Sequence, residues 1–164
     1  MRTARTIVAT IAAALLVSAG MVAASPAHPA LATAAQCSGG ANGFVDISDS
    51  LTGTNASVSG NPMTHLDGLN VNAALQFGTV AGAQRGWAHI WGSTINGDQV
   101  WMDWSEDGGS TVHVRCGPWV VGSTGMSKTS AAKATSSSNL RRFRACARLM
   151  FAAGLGPTHC TGWW

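Results

Sequence analysis

Charged side chains are scarce here, making up 10% of the 164 residues against roughly 25% in an average soluble domain. That is too few for a coiled coil. A formal charge of +3 from 10 Lys+Arg against 7 Asp+Glu also argues against a nucleic-acid binder, which normally shows a pI above about 9 with clustered bases. Catalytic and phosphate motifs are missing: there is no His-Glu-x-x-His, no Gly-x-Ser-x-Gly and no phosphate-cradling glycine loop. No Cys-x-x-Cys pair exists, and His65, His89, His113 and His159 are scattered, so the reading includes no metal site and no cofactor. No internal repeat is seen. What is present is aromatic: seven Trp and four Phe supply apolar surface that a disordered chain lacks. The length fits one domain.

The N-terminus has the layout of a secretory signal peptide. Arg2 and Arg5 precede an apolar, alanine-rich run from Ile7 to Ala24, and small-x-small sites follow at Ala30-Leu31-Ala32 and Ala32-Thr33-Ala34. A membrane anchor is the competing reading; Pro26, Pro29 and the cleavage sites speak against it. Gln36 directly before Cys37 is wrong for a lipid-attachment signal. Residues 1–34 are therefore expected to be removed, leaving residues 35–164 as one secreted domain with no membrane attachment. Without those two arginines, 8 basic side chains face 7 acidic ones, a net charge of +1.

Export decides how the cysteines are read. Cys37, Cys116, Cys146 and Cys160 all follow the cleavage region, and an even count in an exported chain implies disulfides. Of the three possible pairings, Cys146 with Cys160 is favoured because Gly154, Gly156 and Pro157 close a short loop. Cys37 then ties the mature N-terminus to Cys116.

From Trp87 to Val121 the pattern is period two, rich in aromatic and β-branched residues. Asn96-Gly97 suits a type I′ turn, which needs positive φ at both central residues. A hairpin there would pair Trp87–Ile95 with Asp98–Ser105 and put Trp87, His89, Trp91, Val100, Met102 and Trp104 on one core face. The next turn, Ser105-Glu106-Asp107-Gly108-Gly109-Ser110-Thr111-Val112, resembles the Asp-box hairpin of sialidases and other secreted β proteins. The Asp107 carboxylate can accept turn N–H groups and Gly109 can take a left-handed conformation. A loop of Asp107 to Gly109 would place Val112, Val114 and Cys116 on the face of Trp104 and Met102. The usual final Trp of the motif is Val112 here, and a single copy argues against a propeller.

The flanks read as looser. Residues 38–86 are rich in Gly, Asn, Ser and Thr, with strand candidates at Gly43–Ile47 and Ala73–Val80; residues 38–60 read as a flexible N-terminal segment that could order on binding, and 122–139 as a mobile loop. Arg142, Arg144 and Arg148 alternate with Phe143, Ala145, Ala147 and Leu149. A short helix across 140–152 is the alternative. The arginines read as a solvated face or as a patch that recognises anions or carboxylates. The predicted fold is all-β and mainly antiparallel, a small disulfide-stapled sandwich of consecutive hairpins.

Two stretches carry a wider resemblance. Gln99, Trp101, Asp103, Trp104 and the Asp107-Gly108-Gly109 turn lead to Cys116-Gly117-Pro118-Trp119. Phe143-Arg144-Ala145-Cys146 leads to Cys160-Thr161-Gly162-Trp163-Trp164. Together they resemble small exported bacterial β-modules with an Arg-Ala-Cys and Cys-Thr-x-Trp tail, some accompanying secreted glycoside hydrolases. Size and export signal also resemble the adaptor subunits of umbrella toxin particles. That resemblance implies partners: a lectin-like subunit and a large toxin stalk.

Asp103, Glu106 and Asp107 could be imagined as paired carboxylates, but Asp107 is needed by its turn and Glu106 lies on the tip, so neither has the buried setting that raises a general acid's pKa. Ser105, His113 and Asp103 obey no triad spacing. The expectation is a non-catalytic, secreted, protein-binding adaptor. Trp101, Trp119, Trp163 and Trp164 would serve as exposed anchors, while Trp87, Trp91 and Trp104 pack the core. The alternative is a carbohydrate-binding module in which the same rings stack on polysaccharide and Asp103 fixes hydroxyls.

Overall fold

The computed structural model describes residues 30–164. The export signal lies outside the described residues except at 30–34. In chain order, β1 (Ala30–Ala32) and helix α1 (Ala34–Ser38) precede β2 (Phe44–Val45), β3 (Thr54–Asn55), β4 (Val71–Val80) and β5 (Ala83–Gly92). Then come β6 (Gln99–Ser105), β7 (Val114–Val120), β8 (Lys128–Thr129), β9 (Ala132–Ala134), β10 (Arg142–Arg148), β11 (Met150–Phe151), β12 (Gly154–Leu155) and β13 (His159–Cys160). One large sheet runs β1-β7-β6-β10-β13 and a second β2-β9-β5-β4-β3, with β8 also on β5, while β11 and β12 pair as a separate two-stranded ribbon. Pairing is antiparallel except between β1 and β7. The fold is all-β, and no helix among the described residues is long and apolar enough to cross a membrane.

The sheets pack face to face because each central strand presents an apolar side. Val71, Ala73 and Leu75 of β4 and Ala88 and Ile90 of β5 join Val100, Met102 and Trp104 of β6 and Phe143, Ala145 and Ala147 of β10 in one core. Alanines at the layer interface let the two backbones approach closely. Both disulfides pair as expected, Cys37 with Cys116 and Cys146 with Cys160.

The expected hairpin at Asn96-Gly97 does not form. β5 pairs over its full length with β4, while β6 lies between β7 and β10 in the other sheet. The true two-residue hairpin turn is Ala81-Gly82, where both residues have positive φ. At Asn96-Gly97 only Gly97 does; the turn is a corner between sheets, held by Asp98, whose carboxylate accepts from Ile95 N–H at 2.8 Å and Met150 N–H at 2.7 Å. As a result β5 shows the core Ala88 and Ile90. Trp87, on the other face, is buried against Gly53 and Gly78, and Trp91 is half-buried. Period two identifies a face but not which face is inside when both are covered.

Other segments are more ordered than their composition implies. Within 38–60, Phe44 and Ala56 are buried and Thr54–Asn55 pairs with β4. Within 122–139, β8 and β9 pair with β5, and Thr129 to Ala132 are buried. Backbone pairing holds these polar stretches in place of large side chains. Across 140–152 the strand β10 forms, not a helix. β1 and the N-cap Thr33 also belong to the fold, although a cut after Ala34 would remove them.

Candidate functional site

The outer face of the first sheet gathers the polar residues that its alternation turns away from the core. Asp103 on β6 has Arg115 of β7 opposite it on one side and Arg144 of β10 on the other. Register therefore forces two guanidiniums onto one carboxylate, which is fully buried. Arg115 Nε donates to Asp103 Oδ1 at 2.7 Å, and Arg144 Nε and Nη2 donate to Oδ2 at 3.0 and 2.8 Å. The hydrogen bond to Asp103 raises the Arg115 pKa. Each arginine also faces an indole: Arg144 lies 4.5 Å from the Trp163 ring centre, and Arg115 and Arg148 lie 5.7 and 5.8 Å from that of Trp101. The outcome is a row of alternating guanidiniums and indoles with one buried carboxylate at its centre, three positive charges against one negative.

The Asp-box-like turn closes one end of this row. Asp107 accepts from the Ser105 hydroxyl at 2.6 Å, Thr111 N–H at 2.9 Å and the Thr111 hydroxyl at 2.7 Å. These donors, the Ser105 hydroxyl foremost, hold its carboxyl well below the usual carboxylate range. The loop is longer than expected: Trp104 pairs with Val114, not Val112. A shift of two residues keeps Val114 and Cys116 on the expected face. Gly109 has φ +96°, and a Cβ there would lie 2.7 Å from Cδ1 of Trp163. Trp163, from the C-terminus, thus occupies the contact that the motif's own last residue does not supply.

Of the expected binding residues, Trp101, Asp103 and Trp163 come together and Trp119 and Trp164 do not. Trp119 is 6% exposed and sits in the core. The ladder slips between Val100 and Met102, and Gly117, at φ +119°, admits the crowded approach of Trp119 and Trp101. That bulge turns Trp119 inward when strict alternation points it out. Trp164 stacks on Phe77 with ring centres 5.0 Å apart and exchanges both backbone hydrogen bonds with Phe143. Trp101 is 5% exposed, so it is a floor and not a projecting ring. Asp103 has its oxygens engaged by arginines and positions them; no oxygen is left free to fix a sugar hydroxyl. Arg115 and Thr158 carried no signal in the sequence, and Gln99 and Pro118 entered only through the resemblance; cross-strand register brings Arg115 and Arg148 to Trp101, while Gln99 lies two residues from it on the same strand.

Asp103 Oδ2 also lies 3.6 Å from Cys146 Sγ, and with Cys160 these residues form a compact trio of ligand types. The sulfurs are joined in a disulfide, a far weaker ligand than a thiolate, and the carboxylate already accepts from two guanidiniums, so the trio is ill suited to hold a cation. Comparison with family models, curated proteins and solved structures finds no match to this chain.

Proposed function

We propose that the protein is a secreted, non-catalytic adaptor that docks an acidic surface of another extracellular protein through the outer face of its first sheet. The observation that carries this reading is the row Trp101, Arg115, Asp103, Arg144 and Trp163. Trp and Arg dominate interface hot spots, and stacked, ion-paired side chains lose little freedom on binding. An adaptor needs a second face. The loops at the Asp98 corner supply apolar surface: Ile95, Val120, Met126 and Phe151 are exposed, and Thr94 Oγ1 to Met126 O at 2.7 Å and Gly97 N to Val121 O at 3.0 Å hold these loops together. Two faces of different chemistry agree with the resemblance to toxin-particle adaptors that bridge a lectin-like subunit and a stalk. Polysaccharide binding is less well supported, because Trp101 and Trp119 present no open ring for stacking.

The test is native isolation from culture fluid. The protein is expected to co-elute with larger secreted partners, and Arg148→Glu to release one of them. A solitary monomer of mature size overturns the proposal.

A further inference from the structure

Beside the buried ion pair, the sheet face carries a cleft of about 150 Å³ lined by Gln99, Trp101, Arg115, Pro118, Arg148 and Thr158. Its two guanidiniums differ. Arg115 is neutralised by Asp103, whereas among the described residues no carboxylate pairs with Arg148. Arg148 Nη2 reaches only Gln99 Oε1, at 3.4 Å. Two donors of the lining residues, Trp101 Nε1 and Arg148 Nε, are buried with no partner. Native structures leave few such groups, because each forfeits its solvation without a bond in return. Of the five such atoms among the described residues, these two belong to residues that line one cleft, and both are donors. A larger cleft of about 240 Å³ along Thr135–Asn139 is lined by Arg141 and Arg142 but holds no orphaned donor.

We propose that the cleft over Trp101 is a carboxylate-binding pocket that receives an acidic side chain of a partner polypeptide, a proposal that rests on the adaptor reading and sharpens it. The complement of a cationic fork over an indole is an anion with two acceptor oxygens. Arg148 supplies charge and the outer N–H groups of its guanidinium, Trp101 supplies the floor, and Arg115, held by Asp103, walls the other side. The adaptor reading selects the source of the carboxylate: the cleft opens on the sheet face offered to a partner protein, where a carboxylate on one or two methylenes, as in Asp or Glu, can reach the wall guanidiniums.

The test is a ¹⁵N NMR titration of the secreted chain, following the indole and arginine Nε resonances, with N-acetylglutamate amide and its glutamine isostere. The Trp101 line, assigned by W101F, is expected to shift saturably with the glutamate compound and at least about tenfold more weakly with the glutamine one. Arg148→Gln is expected to weaken glutamate binding by a similar factor. Should W101F fail to fold, the Arg148 Nε line, identified by its loss in Arg148→Gln, gives the same readout. No saturable shift, equal affinity for both amides, or tighter binding of glucuronate each overturns the proposal. Failure here with partner co-elution intact removes the pocket and leaves the adaptor; loss of co-elution removes the adaptor.

Discussion

Asp103 is the residue on which the outer face depends. A fully buried carboxylate is tolerated only because two arginines donate to it, and removing its charge strands both guanidiniums. Asp103→Asn is expected to lower unfolding free energy at pH 7 by about 2–4 kcal/mol in a urea titration, below the fully buried limit because the Arg115 and Arg144 side chains are 38% and 26% exposed. A loss under about 0.5 kcal/mol would make the pair surface-like. Gly109 is the second such residue. A methyl there meets both a left-handed backbone and the Trp163 ring, so Gly109→Ala is expected to cost about 1–3 kcal/mol. In a double-mutant cycle with Trp163→Ala, the steric part of that cost disappears and the backbone part remains. Additive effects would show that Trp163 does not rest on the turn.

At the scale of elements, legibility followed how each strand is covered. β10 was readable residue by residue, because Arg142, Arg144 and Arg148 face out while Phe143, Ala145 and Ala147 face in. β6, although covered on both faces, was readable in its core face because Asp103 and Ser105 mark the other face as polar, a contrast that Trp87, His89 and Trp91 do not give β5. β5 was not, since a strand buried on both sides loses the contrast that alternation depends on. Trp119 was misplaced because a bulge reverses parity, and Gly117-Pro118 was the local signal for it. The N-terminal elements give a direct test. β1 pairs with β7, and Thr33 caps α1 in a reciprocal box with Gln36. A chain beginning at Ala35 is therefore expected to be less stable than one beginning at Ala30 by at least about 1 kcal/mol, the typical worth of an N-cap. Thermal melts of the two measure this, and equal melting temperatures would mean that β1 and the cap contribute nothing.

For the whole molecule, stability should depend on pH through His89. Burial lowers its pKa, opposed by the more distant charge of Asp49, and its Nδ1 lies 3.2 Å from Gln76 Oε1. The unfolded chain binds the proton more tightly, so the contribution is complete above about pH 6.5 and is lost as pH falls toward the lower folded value. Between pH 7.5 and 5 the unfolding free energy from urea titrations is expected to fall, with a slope no steeper than about 1.4 kcal/mol per pH unit for one proton. His89→Gln should flatten this dependence; an unchanged pH profile would place the titration elsewhere. Asp107 acts separately, because its contribution is lost only as pH falls below the ordinary carboxylate range.

The sequence by itself determined the β class, the presence of two disulfides, the Asp-box-like turn and the two faces of β10, and it favoured the disulfide pairing that forms. These rest on spacing or alternation within a short stretch of chain, except Cys37–Cys116, which spans 79 residues and followed by elimination. Only the tertiary structure decided that β5 and β6 belong to different sheets, that Trp119 and Trp164 turn inward, and that Arg115 and Arg148 flank Trp101. Those facts depend on which strands lie side by side, and strand partners are chosen by burial summed over two whole sheets.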